Sequence, residues 1–434
     1  MKQLALVGLG YTGLPVAVAF ADAGLRVVGI DKKKALVAKV KRGMNPFEGE
    51  EPDLDDLLRR VVANGSLRAT TGFSAVADSD HIVVAVDTSF DEDNWRPDIR
   101  NLKACARSVG RFLSRRSLVV IESTVAPGTC EWVVLPILER ESGLRGGGDF
   151  ELAHCPQGSR ATPSLLHLRT TDRVVGSLTP EGAVRTMSLY SRIVRADLDA
   201  TDLVTAEMVE SVQSAHTDVN VAFANEVALI AQEVGADAYE VRRLVNQRPG
   251  RDMHAPTAGV GGRSLTRDGL LLSSSVHGTL GSVIREARTV NDQMPNEVMR
   301  LLEKAFEVHG VEPAGATVVV LGLSFPEGAG DTREAPALRF LEECRKHQIG
   351  HRVVDPLVKK RKGLKMYPLT PATFEGADAL VLMTRHPAFV EYDYARVFDR
   401  MSHPIAVDVC DGFHREYTAM GFHYYGLGRT PTRH

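Results

Sequence analysis

Three glycines spaced as Gly8-x-Gly10-x-x-Gly13, with an acid at Asp31, are the first residues in this chain whose types and positions imply chemistry. The first glycine permits a tight turn after a strand, the second lets backbone approach a pyrophosphate, and the third packs a helix on the strand. The phosphates then rest on that helix's N-terminus. Asp31 ends the following strand, where it can accept hydrogen bonds from a ribose 2′-hydroxyl and repel a 2′-phosphate, so the pattern favours NAD over NADP. Lys32, Lys33 and Lys34 temper that preference, or are simply a solvated charge run at a helix start. Tyr11 and Thr12 inside the motif, Thr88 in the loop Asp87 to Phe90, and Thr124 in Glu122-Ser123-Thr124 complete the expected cofactor set. A second glycine-rich run, Gly259-Val260-Gly261-Gly262-Arg263-Ser264, lies in the loop Arg248 to Asp268. Amides freed by glycines beside Arg263 and Arg267 suit an anionic diphosphate; a flexible connector between domains is the other reading.

These residues need elements to hold them. Leu4 to Val7, Arg26 to Ile30, His81 to Val86, Leu118 to Ile121 and Phe150 to His154 read as strands, with helical patterns at Leu102 to Phe112 and Thr129 to Glu141. Such βα alternation predicts a mostly parallel sheet whose carboxyl-end loops bind ligands, among them Cys155-Pro156-Gln157. A second α/β unit begins near Val311, with strands at Thr317 to Leu321, His351 to Asp355, Ala379 to Met383 and Ile405 to Val409, and a helix at Pro336 to Lys346. Between the two, apolar residues recur at helical spacing from Asp202 to Gly235, followed by a helical pattern at Asp237 to Val245. The spacing predicts one helix of roughly nine turns, too long to bury its stripe in one small domain, so that it spans domains and packs against a second subunit. The expected fold class is therefore α/β: two Rossmann-like parallel-sheet domains (residues 1–200 and 301–434) joined by a long central helix within residues 201–300.

Bulk properties exclude other classes. With 52 basic and 55 acidic side chains, nothing global asks for nucleic acid or an anionic membrane. Five cysteines without a CxxC pair fit neither a metal site nor a disulfide framework, which points to a reducing, cytoplasmic setting. No apolar run approaches the ~18 residues of a membrane span, and the N-terminus leaves no room for a signal peptide.

Several stretches together resemble the UDP-glucose/GDP-mannose dehydrogenase family: Val7 to Ala19, Glu122 to Thr129, Ala206-Glu207-Met208-Val209, Asn225 to Ile230, Gly259 to Gly262, and Asp331 to Pro336. The resemblance covers essentially the whole chain in order. It implies an NAD-dependent homodimer or larger homo-oligomer acting on a nucleotide-sugar, whose relatives oxidise a primary alcohol twice to a uronate through a thiohemiacetal on a cysteine. It further implies that Thr124 orients a water and that Asp268 assists the nucleophile, and it makes Gly259, Gly261, Gly262, Arg263 and Asn220 substrate-binding candidates. Elsewhere the chain departs from the family pattern. Ser264 replaces the cysteine, Glu210 a lysine, Ser214 an asparagine and Gln157 a glutamate, while Pro326 and Phe413 replace a lysine and an arginine on the substrate side.

A serine hydroxyl is a far poorer nucleophile than a thiolate, and a carboxylate at 210 removes protons where an ammonium would donate them. The expectation drawn from these exchanges is an oxidoreductase that forms no uronate. It would oxidise a sugar alcohol to a ketone, eliminate water with Glu210 as acid/base and return the hydride, as in a deoxy-sugar step of antibiotic biosynthesis. Two alternatives stand beside it: the conventional double oxidation with Ser264 or water as nucleophile, and a non-catalytic paralogue that binds NAD and nucleotide-sugar.

Overall fold

A computed structural model describes residues 3–47, 52–91, 94–157, 165–276, 279–413 and 420–429. Along β1 (Gln3–Val7), Leu4 and Leu6 enter one apolar cluster and Ala5 and Val7 another, so both faces of the strand are buried. That is the signature of a parallel sheet covered by helices on both sides. The sheet has eight strands in the order β10-β9-β8-β7-β4-β1-β2-β3. Its members are β1, β2 (Arg26–Ile30), β3 (Leu67–Thr70), β4 (His81–Val84), β7 (Leu118–Ile121), β8 (Glu151–His154), β9 (Arg173–Ser177) and β10 (Leu198–Thr201). All neighbours pair in parallel except β8 with β9. The strand order reverses between β1 and β4, the position at which open α/β sheets form a ligand crevice. A hairpin of β5 (Ser89–Asp91) and β6 (Arg96–Asp98) follows β4.

The second sheet is wholly parallel, in the order β12-β11-β13-β14-β15, with β11 Thr317–Leu321, β12 Gly350–Val354, β13 Ala379–Leu382, β14 Ile405–Asp408 and β15 His423–Gly426. It repeats the opening of the first. Gly8 and Gly322 each follow the first strand of their sheet with φ of +100° and +95°; a Cβ on Gly8 would lie 2.3 Å from the Ala85 carbonyl oxygen, and one on Gly322 2.7 Å from the Thr384 Cβ. Each sheet's second strand runs into an acid that accepts from the glycine turn: Asp31 from the Leu9 amide at 3.0 Å, Asp355 from the Leu323 and Ser324 amides at 2.8 and 2.9 Å.

Asp355 is consumed by its own chain. It also accepts from the Ser324 hydroxyl and the Leu357 and Val358 amides. Burial opposes its ionisation, yet hydrogen bonds from His386 and from these amides hold its carboxyl at about 2. Because the folded value lies below the unfolded one, the stabilisation is complete above the unfolded value and disappears as pH falls through the folded one. Asp355→Asn is therefore expected to cost about 2 kcal/mol in urea unfolding near neutral pH. The gap between variant and wild type should close between about pH 4 and pH 2; a gap independent of pH would reject the linkage.

The central helix runs Leu203–Val234. The Asp202 carboxylate accepts from the Thr205 amide at 2.9 Å at its start, and Gly235 adopts φ +80° at its end. The chain forms two compact units, one of residues 1–214 and 267–281, the other of 215–266 and 282–434, so the helix contributes to both. Strands β3, β9, β10 and β15 have no counterpart in the sequence reading, and the helices differ from it as well. The loop from Arg248 stops at Gly262, because Arg263–Ser274 is a helix that carries both Ser264 and Asp268. A further helix, Ser282–His309, has no counterpart in that reading; it holds Pro295 inside, a residue that ordinarily marks a helix end. Among the described residues, no helix is long and apolar enough to cross a membrane, and no group of three or more His, Cys, Asp and Glu could hold a metal ion.

Candidate active site

The cradle that the glycine motif predicts for a dinucleotide lies at the first turn of the first unit. Gly8, besides its left-handed φ, has no room for a side chain, and a Cβ on Gly13 would lie 1.9 Å from the Gly8 carbonyl oxygen. The helix Gly13–Asp22 begins at Thr12 with no side chain capping its first amides, which leaves them to a pyrophosphate as the motif requires. Gly10 and Tyr11 are half-buried beside it, with the Tyr11 ring edge-on to Phe47 at 5.6 Å. Asp31 spends one lone pair on Leu9 and one on the Lys33 amide (2.8 Å), and its carboxylate retains acceptor capacity for a ribose. Lys32 hydrogen-bonds Asn101 at 2.8 Å, the behaviour of a surface charge rather than of a 2′-phosphate clamp.

Beyond the cradle, one chain of hydrogen bonds joins residues that lie far apart in sequence. The Thr88 hydroxyl donates to the Thr124 carbonyl at 2.7 Å, and Arg267 donates to the Thr88 carbonyl at 2.6 Å. The Nε and Nη2 atoms of Arg267 donate to Asp268 Oδ1 at 3.0 and 2.8 Å, and the Ser214 hydroxyl donates to Asp268 Oδ2 at 2.9 Å. Asp268 and Ser214 are fully buried; burial pushes the Asp268 carboxyl up, and Arg267 and Ser214 pull it back. Glu210 is only 4 % exposed and sits one helical turn before Ser214, on the same face of the central helix. The fold thus brings Thr88, Thr124, Ser214 and Asp268 into one network, with Glu210 aligned on its helix.

Other sequence candidates are placed differently. Arg267, expected to face a diphosphate, is engaged by Asp268 and Thr88. Gln157 is buried, and among the described residues its Nε2 meets no hydrogen-bond partner, as suits a donor kept for a ligand. Cys155 is fully buried, with its thiol pushed up to about 12, and His154 is buried and pushed down to about 4; neither is a thiolate nor a ready base. His216 is exposed.

In the second unit the glycine loop is packed by its own chain. A Cβ on Gly261 would stand 3.0 Å from the Ala335 Cα, and the Gly262 amide donates to the Arg333 carbonyl at 2.8 Å. Gly259 adopts φ +105° with the Asn291 carbonyl oxygen 2.4 Å from where its Cβ would be, so these glycines serve close packing first. Arg263 and Ser264, both half-buried, open the helix that follows. Asn220 turns its amide back onto the His216 carbonyl at 2.7 Å, along its own helix.

Sequence reasoning missed two supports of the first unit. Glu207 accepts from the Gly128 and Cys130 amides at 2.5 and 2.7 Å, tying the central helix to the turn after Thr124. Arg173 and Glu122 form a buried ion pair at 3.0 Å. An Ala-Glu-Met stretch with its acid on the inner side of a helix was the available signal for the first; the second joins residues that no local pattern links.

Family models confirm the likeness along the chain: the UDP-glucose/GDP-mannose dehydrogenase family's NAD binding domain matches residues 2–194, its central domain 204–293 and its UDP binding domain 319–415. The UDP-N-acetyl-D-mannosamine dehydrogenase of Pyrococcus horikoshii is 35 % identical over 427 residues, covering 98 % of this chain and 99 % of that protein. A solved structure of the P. horikoshii enzyme superposes with a TM-score of 0.89 at 34 % identity, covering 99 % of this chain and 100 % of that one. The NDP-N-acetyl-D-galactosaminuronic acid dehydrogenase of Methanosarcina mazei gives 0.85 at 31 % identity, covering 99 % and 96 %. These relatives overturn the expected redox-neutral dehydration: they are dehydrogenases, and substitution at the lysine and cysteine positions does not outweigh likeness along the full length. The protein binds NAD through its first domain and a nucleotide-sugar through its last, and it belongs to the UDP-glucose/GDP-mannose dehydrogenase family.

Proposed function

We propose that the protein oxidises the primary alcohol of a UDP-linked 2-acetamido sugar to the carboxylate. The observation that carries this reading is end-to-end likeness to dehydrogenases named for such sugars. When bound, NAD accepts hydride from the sugar carbon. Glu210 takes the hydroxyl proton in the first oxidation, a general-base role that its buried position beside the Ser214–Asp268 network suits. Ser264 offers only a hydroxyl, and the Cys155 thiol stays protonated, so water is the nucleophile for the aldehyde. In that addition water's oxygen bonds the carbonyl carbon, the proton that Glu210 took in the first oxidation passes to the former carbonyl oxygen, and water's proton replaces it on Glu210; the hydrate carbon then gives up the second hydride, which a second NAD would accept, and a hydroxyl proton leaves to solvent. Thr124 orients the water, Gln157 Nε2 donates to the carbonyl oxygen, and Asp268 with Ser214 holds the site's geometry. The test is stoichiometry with UDP-N-acetylmannosamine: two NADH per sugar and an acid product are expected. One NADH with free aldehyde, or none, would overturn the reading.

The working unit in this proposal is a homodimer formed along the central helix. Met208, Val212, Phe223, Ile230 and Val234 are exposed and Val219 is half-buried. They recur at a period of ~11 residues, which keeps them in one stripe along a helix face. Contiguous apolar surface of this kind is covered by a partner, and a second copy presents the same stripe about a two-fold axis. Phe223→Glu with Ile230→Glu is expected to convert a dimer into a monomer in size-exclusion chromatography with light scattering. Retention of the dimer would place the interface elsewhere.

A further inference from the structure

Within the second unit, a buried line of polar side chains runs from the central helix to the head of the glycine loop. Asp218, Asn225 and Asn291 are all essentially inaccessible. Asp218 accepts from Arg288 Nη1 at 2.6 Å and from Asn291 Nδ2 at 2.8 Å, and its carbonyl takes the same Nδ2 at 2.9 Å. Asn291 Oδ1 then accepts from Asn225 Nδ2 at 2.8 Å, and Asn225 Oδ1 accepts from the Thr257 amide at 2.7 Å.

The direction of this line is forced. A carboxylate and a carbonyl can only accept, so Asn291 must turn its NH₂ toward Asp218 and its oxygen toward Asn225. Asn225 must then turn its own NH₂ toward Asn291, which leaves its oxygen facing the loop. Reversing either amide would oppose two acceptors in a buried place, where unpaired polar groups are costly. Arg288 also reaches Asp292, which Arg339 meets at 2.6 Å, so the line is anchored on three helices.

At the loop, the Thr257 hydroxyl donates to the Gly259 carbonyl at 2.8 Å and accepts from the Gly259 amide at 3.2 Å. Gly259 lies against the Asn291 backbone, and the far end is fixed by Gly262 on Arg333 and by Thr266 on Glu334. The loop's glycines thus hold one shape only while both ends are held.

We propose that Asn225 and Asn291 are positioning residues for the glycine loop: Asp218 dictates the direction of both amides, and Asn225 thereby presents the acceptor that fixes the loop's entry at Thr257. This inference rests on reading residues 257–262 as the nucleotide-sugar loop. It assigns to the centre of the helix pair a role in sugar binding that is exerted through the loop.

Steady-state kinetics of the full-length protein with UDP-N-acetylmannosamine and NAD, each varied, tests it. Asn225→Ala is expected to raise KM for the sugar nucleotide roughly tenfold while leaving KM for NAD within about twofold. Asn225→Asp is the sharper variant. It keeps the size and the acceptor for Thr257 but has no proton for Asn291, whose NH₂ is committed to Asp218, so it should rescue nothing. Rescue by Asp would show that an acceptor at 225 holds the loop without the direction Asp218 imposes, and a rise of both KM values in step with a lowered melting temperature would show a space-filling role; either result overturns the proposal. Should the Asn225 variants aggregate, Thr257→Pro, which removes the donated N–H from the loop itself, carries the same expectation, and an unchanged sugar KM in that variant overturns it. A wild-type protein that binds no UDP-sugar overturns the substrate reading and this inference with it; an active wild type whose variants keep their sugar KM overturns this inference alone.

Discussion

Glu210→Gln is expected to lower kcat by about 10²–10⁴-fold while the dissociation constant for NAD stays within about twofold. The exchange preserves size and leaves an acceptor, so the helix and its neighbours need not move; what disappears is the ability to take a proton from the sugar hydroxyl or from water. Glu210 is almost wholly buried on the same helical face as Ser214, whose hydroxyl is bound to Asp268. A water-filled surface site would tolerate the change, because solvent could take the proton instead. Stopped-flow NADH absorbance with saturating sugar nucleotide measures the effect. A loss of less than about threefold would assign proton removal to another group.

How much of this was legible in the chain differs by length scale. The inner strands of both sheets were readable because most are short apolar runs bounded by turns, as strands buried on both faces must be, whereas β3, β9, β10 and β15, whose runs contain charged or polar residues, were not. Gly8, Gly13 and Asp31 were readable because their roles are set by backbone geometry and one strand's length, which are local. The helix Ser282–His309 was not, since Pro295 reads as an end when tertiary packing carries the helix past it. Arg267 shows a different limit. Its charge beside a glycine run suggested phosphate, but its partners turned out to be Asp268, its sequence neighbour, and the carbonyl of Thr88. The choice of chemistry failed for a related reason. Exchanges at Glu210 and Ser264 argue position by position for altered chemistry, whereas the match along every domain puts the chain in a family of dehydrogenases. The line Asp218–Asn291–Asn225–Thr257 joins three segments by side-chain hydrogen bonds, and no periodicity records such a thing.

The second large effect belongs to Glu122 and Arg173. Their side chains are wholly inaccessible and meet at 3.0 Å at the carboxyl end of the first sheet. Among the described residues, the other neighbours of Arg173 are the face of Tyr190, 5.3 Å from its Cζ, and the Cys155 thiol, which burial keeps protonated. Neither supplies a counter-charge. Glu122→Ala should thus strand a guanidinium in the interior and destabilise the protein by about 3–5 kcal/mol, as should Arg173→Ala for the orphaned carboxylate. Replacing both at once, Glu122→Leu with Arg173→Met, removes the two desolvation costs together and should lie within about 1 kcal/mol of wild type or above it. Urea unfolding of the three variants gives the coupling energy directly. Two single variants that each cost less than about 1 kcal/mol would mean that water reaches the pair. Stability and function should then separate in the double variant. Glu122 leads directly into Ser123 and Thr124, and the Thr124 carbonyl receives the Thr88 hydroxyl, so the pair fixes the start of the loop on which the Thr88–Arg267–Asp268 chain hangs. An apolar pair fills the same volume without fixing that direction, and a double variant that is stable yet raised in KM for NAD would show that the ion pair is kept for geometry rather than for stability.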